Sequence, residues 1–212
     1  MILFGKATGS AEGTAAKLAG IAQHAMLVRL TVVLTLLTFV YAVVLGVTLY
    51  ALTRDEDRDL AMIALSCRVG EGVIGAVSGV RTLGLLSLAT ASTAVTAADT
   101  AATNALGDLL LKQGGGSTLI GATCFAVAST LFSYLFLRAR SIPVTLAWLG
   151  VIASVLLVVA IPLQLSGLVT GAATYYIWIP MLVFEVTFAL WLIAKGSVAL
   201  SNQVTSIDTR LT

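Results

Sequence analysis

Three ionisable residues stand where ionisable residues are costly. Arg68 and Glu71 interrupt one apolar stretch and Glu185 interrupts another. A charge at the centre of a membrane helix costs about 2.5–3.5 kcal/mol on insertion scales, so such residues are functional-site candidates by default. Arg68 and Glu71 are spaced i, i+3, which on a helix makes them neighbours one turn apart. If Glu185 sits at the same depth, one guanidinium faces two carboxylates. That excess of negative charge invites a shared proton or a bound cation. It is the arrangement of a proton- or cation-coupled site. A structural reading competes on even terms: an Arg–Glu pair holds helices together, and Glu185 is neutral or hydrogen-bonded to a neighbouring helix.

Around this pair run three small residues, Gly72, Gly75 and Gly79. Gly75 and Gly79 form a small-xxx-small surface that lets another backbone come close. It could be a dimer seam or a narrow polar cavity. Ordinary packing inside the monomer is favoured about two to one, because the pattern is common in membrane helices. Arg81 is expected to reach toward the membrane surface on its long stem. Pro162 and Pro180 each remove a helix hydrogen bond and can kink a helix. His24 reads as an interface residue, and the run from Arg54 to Asp59 as a solvated turn whose opposite charges compensate each other.

Other chemistries find little support. No HExxH helix, G-x-S-x-G elbow, P-loop or dinucleotide fingerprint is present, so the chain reads as a non-enzyme without a cofactor. Ala105-Leu106-Gly107-Asp108 lacks the first glycine of a Gly-Asp protease motif and falls outside the well-formed spans. One histidine, His24, excludes haem ligation by two histidines, and no metal-ligand spacing exists. Cys67 and Cys124 both lie in apolar runs. Each is expected about seven residues from opposite membrane faces, a depth difference of roughly 10 Å that would prevent a disulfide.

The elements that must carry these residues are membrane helices. Of the 212 residues, 58% are hydrophobic and only 10% charged, and the mean hydropathy is +1.03. A soluble domain has about 25% charged residues. The net charge of +2 is too small to imply nucleic acid. With roughly 20 apolar residues per crossing, five spans are expected over about 26–52, 60–84, 117–137, 142–164 and 175–195. Residues 1–25 form a polar N-terminal segment. Residues 85–112, rich in Ala and Thr, read as an interfacial helix plus loop, ended by Gln113-Gly114-Gly115-Gly116. Residues 197–212 read as an exposed tail. The expected architecture is therefore an all-α polytopic bundle of about five transmembrane helices, over 26–196, plus one interfacial helix.

Charge placement orients this bundle. Five crossings put Arg54, Arg58, Arg138, Arg140, Lys195 and Arg210 on one side, and Lys6, Lys17, Arg29, Arg81 and Lys112 on or near the other. The positive-inside rule makes the first side cytoplasmic, with the C-terminus inside and the N-terminus outside. An outside N-terminus without a signal peptide is awkward for five helices. A sixth helix upstream would resolve it.

Three segments carry a resemblance. They are the Arg-x-x-Glu helix of Ser66-Cys67-Arg68-Val69-Gly70-Glu71, the basic, proline-containing turn within Tyr134 to Gly150, and the last helix, Glu185 to Gly196, with Leu-Trp-Leu and Lys-Gly. Together, over roughly residues 15–196, they resemble the bacterial membrane family catalogued as the domain of unknown function 4386 (DUF4386). The resemblance implies a six-helix design from which this chain lacks the first helix. It carries no activity. The expected function is a bacterial inner-membrane protein with a midplane polar site for a proton, cation, small solute or lipid headgroup. The alternative is a structural or regulatory subunit packed against a larger membrane complex. The expected partners are the lipid bilayer and a membrane protein or a second copy of the chain.

Overall fold

The computed structural model describes residues 13–91, 97–171 and 173–211, with side chains described over 13–91, 99–171 and 173–195. Among these residues every regular element is an α-helix: α1 (Thr14–Gln23), α2 (Ala25–Thr53), α3 (Arg58–Ala91), α4 (Ala97–Ala139), α5 (Val144–Leu165), α6 (Ala173–Tyr176) and α7 (Ile179–Leu211). The protein is an all-α helical bundle. Its chain divides into two compact units, residues 1–128 and 129–212, with the boundary inside α4.

The first unit is built on an antiparallel hairpin of α2 and α3. Asp57 starts α3 by accepting the Leu60 N–H on its Oδ1 at 3.1 Å, the N-cap interaction that short polar side chains supply. Buried positions on α2 include Ala42, Gly46, Leu49 and Thr53, and those on α3 include Ala61, Ala64, Arg68 and Gly72. Their alternating three- and four-residue spacing is that of a helix–helix seam. The contacts run in opposite directions along the two helices. Gly46 lies against Leu65 and Arg68, Gly72 against Phe39 and Ala42, and Gly79 against Val32 and Thr35. Small residues allow this approach, because lipid tails give apolar side chains no reason to associate and close packing must do so instead.

The middle of α4 runs antiparallel to α3, with Gly121 against Ile74 and Gly70 against Cys124. At the end remote from the hairpin turn, α1, the end of α3 and the start of α4 join around Leu18, Ile21, Val28, Leu85, Leu86, Ala89, Leu110 and Leu111. Here the structure departs from expectation. Residues 85–91 continue α3, and one 43-residue helix replaces the separate interfacial helix and span. Helical backbone runs through Gly114, Gly115 and Gly116. Each glycine costs about 1 kcal/mol in a helix relative to alanine, and Gly114 offsets this by seating Arg81 (below).

In the second unit the end of α4 turns back into α5. Arg140 takes a left-handed conformation, φ 49°, and Pro143 stands at the helix start. Gly150 sits so close to Ser133 and the Phe184 ring that no side chain fits there. Phe184, Phe188 and Phe136 continue the contact as an aromatic row, with centroids 5.6 and 5.4 Å apart. Pro162 lies inside α5, which ends three residues later, and Pro180 occupies the first turn of α7, after the break at Ile177 and Trp178. Helix α7 continues through Leu211, and the exposure expected for 197–212 lies outside the described side chains.

Five helices among the described residues are long and apolar enough to cross a membrane. Their outward faces are rich in large apolar side chains, such as Leu37, Tyr41 and Val44 on α2 and Ile152 and Val159 on α5. Soluble monomers rarely expose such continuous patches. Lipid-level hydroxyls return to their own helices: Thr38 Oγ1 donates to the Leu34 carbonyl, Thr48 to Val44 and Thr187 to Val183, at 2.7–2.9 Å. No water is available there to satisfy them. The chain is a multi-pass membrane protein.

Candidate functional site

Arg68 is only 6% exposed, on the α2–α3 seam. Gly46 makes its place: a Cβ on Gly46 would lie 3.0 Å from the Arg68 Cβ. From there the side chain crosses to two partners. Its Nη1 donates to Glu71 Oε2 at 2.9 Å. Its guanidinium carbon lies 4.6 Å from the centre of the Phe125 ring on α4, a cation–π distance. Three helices therefore meet at the Arg68 side chain. The pair is unequally covered, with the Arg68 side chain 8% exposed and that of Glu71 26%. The carboxylate is the accessible end.

The α3 sequence sets the position of the pair along the helix. Arg68 lies about 16 Å along the helix axis from Asp57 at the hairpin turn, and about 20 Å from Arg81. The pair therefore lies well inside a helix long and apolar enough to cross a hydrocarbon layer about 30 Å thick. Glu185 belongs to the second unit, where it is exposed on α7 between Phe184 and Phe188. Two members of the sequence-based cluster thus touch each other in one unit, and the third lies in the other.

The glycines divide by role. Gly72 and Gly79 press against α2, whereas nothing lies within 4 Å of a Cβ on Gly75. Arg81 turns inward to α4, where its Nη1 donates to the Leu110 carbonyl at 3.1 Å and its guanidinium covers Gly114. The nearby Lys112 Nζ pairs with Asp108 Oδ2 at 2.7 Å. The depth expected for the cysteines is overturned: Cys124 Sγ lies 3.8 Å from a Cβ on Gly70, one turn from Cys67. The expectation measured Cys124 from a helix start at 117, and α4 starts at Ala97. Sequence reasoning missed Gly46, Phe125 and Gly114, since a glycine opposite a charge has no local signal. No cluster of three or more His, Cys, Asp or Glu that could hold a metal lies among the described residues.

A family model described as "Domain of unknown function (DUF4386)" matches residues 2–196. The chain belongs to the DUF4386 family. Its match takes in Arg68, Glu71, Phe125 and Glu185. The curated proteins and the solved structures gave no match to this DUF4386 chain.

Proposed function

We propose that this protein is a non-enzymatic component of the bacterial inner membrane whose Arg68–Glu71 pair takes up a proton or a small cation. One observation carries the reading: within a helix apolar enough to cross a membrane, the guanidinium is covered and the carboxylate is the more exposed partner. A solute arriving at the pair meets negative charge first. Arg68, held by Gly46 and Phe125, then acts as the fixed counter-charge. A neutralising cation or proton on Glu71 would weaken the 2.9 Å bond while Arg68 stays held against Phe125. The basic residues at the hairpin turn and after α4 favour a cytoplasmic face there, and with it a cytoplasmic C-terminus.

The test is ion flux in proteoliposomes. A trapped pH dye, and separately a trapped potassium or sodium dye, reports flux driven by an imposed gradient. The wild-type protein should move one of these ions, and a Glu71→Gln variant of unchanged size-exclusion profile should lose that flux. Flux from neither protein, or equal flux from both, would leave the pair as a structural contact.

A further inference from the structure

We propose that Cys67 and Cys124 close a reversible disulfide that staples α3 to α4 beside the Arg68–Glu71 pair. The inference does not depend on what that pair binds. Each cysteine directly precedes one partner of the Arg68–Phe125 contact, which fixes the two helices at this level with 4.6 Å between guanidinium carbon and ring centre. Gly70, one turn after Cys67 on the same face, has the Cys124 Sγ against it, and Gly121 has Ile74. These two contacts set the antiparallel register of α3 and α4 and place Cys124 within one helical turn of the level of Cys67. The remaining offset along the axis is about 4.5 Å. Both thiols are free and partly exposed.

A disulfide spans Cα separations of about 4.4–6.8 Å. Glycine lets helices approach toward that range, and Gly70 and Gly121 each take a side chain of the facing helix, at 3.8 and 3.5 Å from where a Cβ would lie. The location selects the oxidant. On helices apolar enough to cross a membrane, both thiols would meet lipid-soluble quinones more readily than water-soluble reductants. Each thiol loses its proton and one electron, the two sulfurs bond, and the quinone receives both protons and both electrons to become a hydroquinone. A dithiol reverses the step. In the oxidised form α3 and α4 can no longer part next to Arg68, so the bond would hold the pair in one arrangement.

The protein, in mild detergent or lipid nanodiscs, is treated with a short-chain, fully substituted quinone that cannot add to thiols. Remaining thiols are capped with a maleimide, and the intact mass is measured. The expected product is a monomer that takes no maleimide, is lighter by two hydrogens, and yields a linked pair of peptides containing Cys67 and Cys124. Dithiothreitol should restore both maleimide additions. Cys67→Ser and Cys124→Ser should each keep one reactive thiol throughout. Two reactive thiols in the treated wild-type protein, or a bond joining two chains, would overturn the proposal.

Discussion

Removing the two members of the Arg68–Glu71 pair singly and together should give strongly non-additive losses of stability. Glu71→Leu leaves a guanidinium whose side chain is 8% exposed without its carboxylate. Breaking a buried pair from one side costs about 3–5 kcal/mol, because a charge is stranded. The Phe125 ring recovers part of that, since a desolvated cation–π contact is worth on the order of 2 kcal/mol. Arg68→Met strands Glu71 instead. Its side chain is 26% exposed and the group can take a proton, so the loss should be smaller, about 1–3 kcal/mol. The double variant strands nothing. Its loss should fall at least about 2 kcal/mol below the sum of the singles, within the range seen for residues in direct contact. Reversible unfolding of the protein in mixed micelles, titrated with a denaturing detergent and followed by helical circular dichroism, measures all three. Losses that add to within about 0.5 kcal/mol would mean that the two groups do not interact, and the site would have to be abandoned.

Further outcomes follow from individual contacts. Gly72→Leu should destabilise by about 1–3 kcal/mol by overpacking against Phe39, whereas Gly75→Leu should leave monomer stability within about 0.5 kcal/mol; the same unfolding titration decides. If Gly75→Leu shifts the size-exclusion profile toward smaller species, the open face of Gly75 is an intermolecular seam. Gly114→Leu should expel Arg81 from the Leu110 carbonyl and cost about 1–3 kcal/mol; the additional Arg81→Met change should then cost little more, and a full additive loss would contradict the contact. A reporter placed between Asp55 and Glu56 and one at the C-terminus should both be cytoplasmic, read by protease protection in inverted and right-side-out vesicles.

The sequence displayed the helices better than their neighbours. The charge-free run after Arg29 made α2 visible, and the charged turn at Arg54–Asp59 made the hairpin visible, because both rest on the cost of charge in lipid. The pairing of Arg68 with Glu71 was equally legible, since i, i+3 spacing is local geometry. Phe125 as the cover of Arg68, Gly46 as its seat and Gly114 as the seat of Arg81 were not legible. Each depends on the register between two helices, which no single-helix periodicity encodes. The three glycines after Gln113 misled for a related reason. Glycine weakens a helix in isolation, yet here it lets a guanidinium lie on the backbone, and α4 runs straight through. The cysteines were misplaced by the same error, because their depths were counted from helix ends and not from contacts with α3.

The most direct test of the proposed role of the Glu71 carboxylate is its reaction with a hydrophobic carbodiimide, which modifies proton-carrying carboxyl groups within the hydrocarbon layer. The protein is treated in lipid nanodiscs and digested, and the adduct is located by mass spectrometry. The peptide containing Glu71 should carry it, Glu71→Gln should abolish it at that site, and the cation moved in proteoliposomes should suppress it in proportion to its concentration. An unmodified Glu71 under conditions that label Glu185, or labelling indifferent to every cation and to pH, would contradict a proton- or cation-binding role for the Arg68–Glu71 pair.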